Sequence, residues 1–402
     1  MYTKCNKCGA VIVDPGTEFA CPTCGNPMRT RADFLEKIEE AEEVPPSMQY
    51  GELTPFSALK AIVSGACLLS WLSYILVLIL MIAIYFYAIP EVGNHINELT
   101  AIPFILLPYP VGLAVLEGPA AGAYWAFIVI SFFLALVWML WPERKLLKET
   151  FLDSLPKVRA PRRANNTTLV MVAQFFFAIL FFDYLYYYMI EIGGASPNTP
   201  AFEEQKPWEN LYGFLNASVW EEFAARILLI GAPLLLIIIF RSMGEGTFGE
   251  KTLDMNKATK RALRLLFGGH GEFTPITVGL IVFSSLMFGF AHAPGWDLWK
   301  VLPTAISGLG FGYLYIKKGV HAAIMLHFSF DYLGMAQGYL PNNFGTQGAL
   351  LIVMLLWVAA GFVYFVYYTA KVVRFFVEPD EGWETPPVRT ARRMGWDILG
   401  WK

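Results

Sequence analysis

Two long runs without a charged side chain constrain this chain more than any other feature. No Asp, Glu, Lys or Arg occurs between Lys60 and Glu91 or between Glu117 and Glu143. A helix of about 20 apolar residues crosses the roughly 30 Å hydrocarbon layer of a membrane. Only 16% of the residues are charged, whereas soluble domains carry about 25%. The sequence therefore predicts an integral membrane protein, because its charges are too few to cover soluble surfaces.

Further stretches of the chain have the length and apolar composition of a single membrane helix, including three that contain ionisable residues. We expect these stretches, together with the two charge-free runs, to form an all-α polytopic membrane helix bundle of about eight transmembrane helices. The further stretches run over about 167–192 and 215–240, between Glu272 and His292, between Lys300 and Lys317, and over about 320–339 and 347–370.

The distribution of basic residues tests this number of spans, since cytoplasmic loops carry an excess of Lys and Arg. Twenty-seven of the 30 lie in the N-terminal segment, in the loops after the second, fourth and sixth predicted spans, or in the C-terminal tail. Only Lys206 and Lys300 fall in the alternate loops, and Arg226 lies within a span. We therefore expect a multi-pass cell-membrane protein with both termini in the cytoplasm. The net charge of -3 gives no indication of nucleic-acid binding.

Four cysteines near the N-terminus form two matched knuckles, Cys5-Asn-Lys-Cys8-Gly and Cys21-Pro-Thr-Cys24-Gly. Four thiolates at this spacing suit tetrahedral zinc, and they resemble a rubredoxin-type zinc ribbon. We predict a structural Zn²⁺ site over residues 1–30, followed by an acidic linker over 31–56. A redox dithiol or two chance pairs remain alternatives. Such a ribbon is a candidate docking site for a cytoplasmic protein partner.

Ionisable side chains inside membrane spans are costly and are functional candidates by default. One group is Glu221-Glu222-Phe-Ala-Ala-Arg226. On an α-helix Glu222 and Arg226 face each other four residues apart, so we predict an ion pair. Glu221 is turned about 100° away and lacks that partner. It is the carboxylate that remains free for chemistry, unless all three residues form a cluster at the outer interface.

Two further groups follow on later spans. Phe288-Gly-Phe-Ala-His292 places an imidazole at a helix end, and His327-Phe-Ser-Phe-Asp331 places an imidazole and a carboxylate one turn apart. By the predicted topology all the candidate groups lie at mid-depth or toward the outer face, so one cavity could collect them. We interpret His321, near the inner end of its span, as a packing or interface residue.

The order and spacing of these motifs resemble the CPBP family, which includes CAAX prenyl proteases of the Ras-converting-enzyme type and bacteriocin-processing or self-immunity proteins of the Abi group. The family pattern is EExxxR, then FxxxH, then HxxxN or HxxxD. The motifs match within about 202–338. The resemblance implies an intramembrane protease domain over 57–376, to which the ribbon is an added module, with a cytoplasmic tail over 377–402.

The resemblance also implies roles for the matched residues in the hydrolysis of a membrane-associated or lipidated peptide. Glu221 would activate water with help from His292, while Glu222 and Arg226 would hold the helix geometry. His327 and Asp331 would stabilise the oxyanion.

Asp331 departs from the Asn usual in the prenyl-protease branch, because an ionised carboxylate cannot donate a hydrogen bond. It is therefore protonated, or it only orients His327, or it helps to bind a metal. Glu221 and His292 together with His327 and Asp331 would suit a two-His, two-carboxylate zinc site. We favour a mechanism without a catalytic metal.

Two other classes of function compete with a protease. A non-enzymatic membrane scaffold or immunity protein would use the ribbon to recruit its partner. A proton-coupled transporter would use the Glu and His residues, but we find neither inverted repeats nor paired broken helices.

The counting of basic residues predicts that the loops around Lys206 and Lys300 face outward. A Lys206→Cys variant should react with a membrane-impermeant maleimide in intact cells. A matched Lys148→Cys variant in a predicted cytoplasmic loop should react only after permeabilisation. Reaction of Lys148→Cys alone in intact cells would reverse the predicted orientation.

Overall fold

Long helices dominate the computed structural model, which describes residues 2–4, 11–13, 55–147, 167–194, 196–200, 202–244 and 255–377. The chain divides into two units, Met1–Ile62 and Val63–Lys402. In the first unit, β1 (Tyr2–Lys4) pairs antiparallel with β2 (Val11–Val13). The ribbon cysteines Cys5, Cys8, Cys21 and Cys24 lie outside the described residues, as do most of the predicted linker and the predicted tail.

Ten α-helices can be followed in the described part of the chain, most of them separated by short connections. In chain order they are α1 (Pro55–Asn94), α2 (Gly118–Leu140), α3 (Thr168–Ile192), α4 (Pro207–Asn216), α5 (Ala232–Gly244), α6 (Met255–Phe267), α7 (Pro275–Trp296), α8 (Val301–Lys317), α9 (Val320–Tyr339) and α10 (Phe344–Val377).

Six helical segments among the described residues are long and apolar enough to cross a membrane, and one of them runs without a break over Pro207–Phe240. The protein is therefore a multi-pass helical membrane protein. Two predicted spans fall short of these criteria. Helix α8 has only 17 residues, and the polar side chains of α9, among them His327 and Asp331, reduce its apolar character.

The backbone is unusually wound where α4 continues into α5. Residues Ala217–Glu221 and Phe223–Gly231 form wide turns with hydrogen bonds between residues five apart. Such π-type winding is rare and is frequently found at functional sites. It occupies the segment that carries Glu221, Glu222 and Arg226, for which the residue spacing predicts an ordinary α-helix.

Sequence reasoning missed two small antiparallel ladders between α1 and α2. Strands β3 (Thr100–Ala101) and β6 (Leu116–Glu117) pair around a tight hairpin of β4 (Phe104–Leu107) and β5 (Tyr109–Gly112). The indole Nε1 of Trp220 donates a hydrogen bond to the Phe104 carbonyl, 2.9 Å away. This bond ties the hairpin to the wide turns after α4.

The contact between α3 and α10 is close enough to require glycine. A Cβ atom at Gly361 would lie 2.2 Å from the Phe177 carbonyl oxygen and 2.7 Å from the Phe181 Cβ. Next to this contact, Tyr74, Phe176 and Trp357 pack as a fully buried aromatic cluster. The core of the bundle therefore depends on the close approach of the α3 and α10 backbones as well as on the burial of apolar side chains.

We predict that Gly361→Ala destabilises the bundle by about 1–3 kcal/mol, the usual cost of overpacking. Thermal unfolding in detergent micelles would measure this change. Gly348→Ala is the matched control in the same helix, since nothing lies within 4 Å of its Cβ position. There helix propensity alone should raise stability by up to about 1 kcal/mol. Equal effects of the two variants would contradict the close packing.

Candidate active site

The candidate residues line one cavity of about 810 Å³. Residues of α3, α4, α7, α8 and α9, of the segment after α4 and of the β4–β5 hairpin form its walls. Glu221, His292, His327 and Asp331 all contribute to the lining. The predicted convergence of these four residues is present in the structure. His321 stands apart from the site, in the first turn of α9.

Glu221 faces two imidazole nitrogens at equal distance. Its Oε2 lies 3.8 Å from Nε2 of His292 and 3.8 Å from Nε2 of His327. These separations exceed a direct hydrogen bond. Oε2 is buried and has no hydrogen-bond partner among the described residues. An unpaired carboxylate oxygen beside two imidazoles is a place where a water molecule can be bound and deprotonated.

The orientation of the His292 ring is set by a hydrogen bond of its second nitrogen, Nδ1. Nδ1 lies 2.8 Å from the Phe288 carbonyl oxygen, one helical turn earlier. A carbonyl only accepts hydrogen bonds, so Nδ1 carries the hydrogen. In the neutral ring Nε2 is then an acceptor directed toward Glu221. The FxxxH spacing thus fixes the tautomer through the backbone of residue 288.

Glu222 is the centre of a buried polar network. Its Oε2 accepts a hydrogen bond from Arg226 Nε at 3.0 Å, and its Oε1 lies 2.9 Å from Nδ1 of His327. Glu222 and Arg226 are both fully buried. The predicted Glu222–Arg226 ion pair is therefore present. The third partner, His327, was not predicted, because it lies on a different helix.

Arg226 is held from several directions. Its Nη1 donates to the Ser284 hydroxyl at 2.7 Å, which in turn donates to the Ala225 carbonyl at 2.6 Å. The guanidinium also lies over the rings of Phe288 and Phe311, 5.2 and 5.6 Å from their centroids. These contacts anchor the wide turns to α7 and α8.

His327 and Asp331 complete the cluster. The His327 ring stacks on Phe311 with centroids 5.1 Å apart, and its Nε2 lies 3.4 Å from Asp331 Oδ2. The Ser218 hydroxyl lies 2.9 Å from the same carboxylate oxygen and 2.7 Å from the Phe214 carbonyl. A serine hydroxyl carries one hydrogen, which these two acceptors share. Ser218 was missed by sequence reasoning, because a lone serine in a helix gives no signal.

Within the described residues no group of three or more His, Cys, Asp or Glu side chains is arranged to hold a metal ion. The ribbon cysteines were outside that search, because they lie outside the described residues.

The fold and the site define a class of protein: a multi-pass membrane protein with a carboxylate and imidazoles gathered around a cavity, as a membrane-embedded hydrolase requires. Residues 203–333 match a family model described as Rce1-like, type II CAAX prenyl endopeptidase. This segment contains all seven residues of the three motifs, and over it the chain is similar to the CAAX protease family, which supports protease activity. The match covers less than half of the chain. Comparisons with curated proteins and with solved structures found no match.

The buried network predicts a large cost for removing its cation. Arg226→Met should destabilise the protein by about 3–5 kcal/mol, because Glu222 is left as a buried, poorly compensated charge. Thermal unfolding in detergent would measure the loss. The double variant Glu222→Gln with Arg226→Met should recover most of it. Arg264→Met, at an exposed arginine, is the control, and an equal loss there would contradict the prediction.

Proposed function

We propose that this protein is an intramembrane endopeptidase in which Glu221 is the general base. The observation that carries the proposal is the buried, unpaired Oε2 of Glu221, 3.8 Å from two imidazole nitrogens in a large cavity. The family match supports peptide hydrolysis as the reaction. The substrate class we propose is a membrane-associated or lipidated peptide.

In the proposed mechanism a water molecule lies between Glu221 and His292. Glu221 removes a proton from the water as its oxygen attacks the carbonyl carbon of the scissile peptide bond. The carbonyl π bond breaks and a tetrahedral oxyanion forms. Collapse of this intermediate breaks the C–N bond, and the proton held by Glu221 passes to the leaving amine. Atoms balance with water as the only co-reactant.

His327 is placed to stabilise the oxyanion. Since its Nδ1 faces the Glu222 carboxylate, the imidazolium form would direct Nε2–H into the cavity. This arrangement resembles the way in which the aspartate of a serine-protease triad orients its histidine and stabilises the imidazolium. Preorganised donors of this kind are often the largest single contribution to catalysis. Asp331, held by Ser218, would orient His327 or, when protonated, donate to the oxyanion itself.

The remaining parts of the proposal concern topology and the N-terminal module. We propose eight membrane crossings, with α8 and α9 as the two short or polar ones, and cytoplasmic termini. Under this topology the cavity lies toward the outer face, which favours an exported or membrane-inserted peptide as substrate. We also propose that Cys5, Cys8, Cys21 and Cys24 bind a structural Zn²⁺ and that this ribbon recruits a cytoplasmic partner.

Glu221→Gln should abolish peptide cleavage while leaving the fold intact. Loss of the general base should lower kcat by about 10²–10⁴-fold. The measurement is product mass spectrometry after co-expression with peptides from the same genome, followed by turnover of a cleaved peptide with purified protein. His292→Ala should also lower kcat.

Glu204→Gln is the matched control, because Glu204 is exposed and does not line the cavity. It should retain wild-type turnover. If Glu221→Gln cleaves at the wild-type rate, the protease proposal is wrong. A scaffold would then be indicated if Cys5→Ser and Cys8→Ser destroyed function in cells while Glu221→Gln was silent.

A further inference from the structure

The cavity also contains two charged groups that the proposed hydrolysis does not use. Asp183, on α3, and Lys300, just before α8, line the same cavity as Glu221. Lys300 is unusual even in sequence, because it is one of only two basic residues in the predicted outer loops. The other, Lys206, forms an ion pair with Glu98 at 2.8 Å.

Lys300 is held by aromatic rings instead of a carboxylate. Its Nζ lies 4.4 Å from the ring centroid of Trp296 and 5.5 Å from that of Trp299. The Trp299 indole is fixed in turn by donating a hydrogen bond to the Asn198 carbonyl at 3.0 Å. Among the described residues no carboxylate lies within ion-pair distance of the Lys300 ammonium. Its position is therefore restricted while its charge is left without a direct counter-ion.

The Lys300 ammonium has aromatic neighbours but no direct carboxylate acceptor in the described part of the chain. Burial lowers the pKa of its amine, although Asp183 and Asp331 are close enough to act against that shift. Aromatic faces attract a cation, but they do not replace the hydrogen bonds that an ammonium makes in water. An anionic group bound in the cavity would supply those bonds to the three N–H donors of the lysine.

Asp183 supplies a second, independent observation. Its Oδ1 is buried and has no hydrogen-bond partner among the described residues. Such an oxygen requires a donor, and leaving it without one is costly. A peptide carries both groups that this part of the cavity lacks, namely a carboxylate that accepts from Lys300 and a backbone N–H that donates to Asp183.

We propose that Lys300 and Asp183 form a substrate subsite that binds a carboxylate of the peptide, with Lys300 donating to the carboxylate and Asp183 accepting from a neighbouring backbone N–H. The carboxylate is either the C-terminal group or the side chain of an acidic residue. This subsite rests on the proposed protease function, whose substrate it would select and position relative to Glu221.

A structural reading of the same residues makes a different prediction. Tryptophan and lysine are both common at membrane interfaces, where the lysine stem packs on apolar surface and its charge reaches water. If Lys300 did only this, the cavity would bind peptide acids and peptide amides equally well.

The test measures binding in the Glu221→Gln background, so that no substrate is consumed. A pool of apolar decapeptides is synthesised as free acids, as carboxamides, and as carboxamides ending in glutamate. Peptides retained by the detergent-solubilised protein after gel filtration are quantified by mass spectrometry. We expect the free acids to be retained over the carboxamides by about tenfold or more, the scale of one hydrogen bond to a charged group.

Variants added to this background assign the selectivity to residues. Lys300→Gln should reduce the acid-to-amide ratio to about one, whereas Lys300→Arg should preserve it. Asp183→Ala should weaken acids and amides alike, since it removes the acceptor for the backbone N–H. Lys206→Gln, the same charge change at an exposed lysine, should leave the ratio unchanged. Thermal unfolding checks that each variant is folded.

The source of the carboxylate follows from the third peptide form. If the glutamate-ended carboxamides are retained as well as the free acids, a side-chain carboxylate is sufficient for binding. If only the free acids are retained, the subsite binds the C-terminal carboxylate. Either result supports the subsite. The subsite proposal is wrong if the acid-to-amide ratio is near one in the Glu221→Gln protein with native Lys300. It is also wrong if adding Lys300→Gln leaves the ratio unchanged while the protein remains folded.

The two proposals fail separately. If cleavage depends on Glu221 but the protein shows no preference for peptide acids, the protease proposal stands and the subsite proposal is wrong. Acid-selective retention without any cleavage by the native protein would leave a carboxylate-binding cavity and remove the protease.

Discussion

The buried charge of Glu222 is the constraint on which the rest of the site depends. A carboxylate with no solvent contact inside a membrane bundle requires compensation, and Arg226 and His327 provide it from two sides. Arg226 in turn binds Ser284 on α7. One charge thereby fixes the wide turns after α4 against α7 and α9. The same network sets the ring orientation of His327. The contacts that compensate the buried charge of Glu222 therefore also determine the geometry of the cavity.

The part of this network that is local in sequence could be predicted, and the part that crosses between helices could not. Residues four apart on a helix meet, so Glu222 and Arg226 were paired correctly from spacing alone. His327 lies 105 residues from Glu222, and a single sequence contains no signal for that contact. The position of Glu221 was argued from ordinary α-helical geometry, yet the backbone there has wider turns. Its freedom from Arg226 was inferred correctly, but its two imidazole neighbours depend on tertiary packing.

The architecture shows the same division. Charge-free runs identify helices such as α1 and α2 because membrane length and hydropathy are local properties. The hairpin of β4 and β5 lies between these two helices, in an apolar but proline-broken segment. Neither helical nor alternating periodicity marks such a segment. Its place beside the cavity depends on the bond from Trp220 to the Phe104 carbonyl, which is again a long-range contact.

Charges inside the bundle divide into those that the protein compensates and those that it leaves open. Glu222 and Arg226 form an ion pair, and each also bonds a residue of another helix, as expected of groups that hold helices together, although Arg226 Nη2 has no hydrogen-bond partner among the described residues. Glu221 Oε2 and Asp183 Oδ1 have no hydrogen-bond partner among the described residues. The Lys300 ammonium lies over the rings of two tryptophans. These three groups, none of which has a direct hydrogen-bonded counter-ion within the described ranges, line one cavity. A membrane protein gains no stability from such groups, and under the two proposals a bound ligand supplies what each one lacks. Under the two proposals a peptide would do so, because it would provide a carbonyl for water activated at Glu221, an N–H for Asp183 and a carboxylate for Lys300.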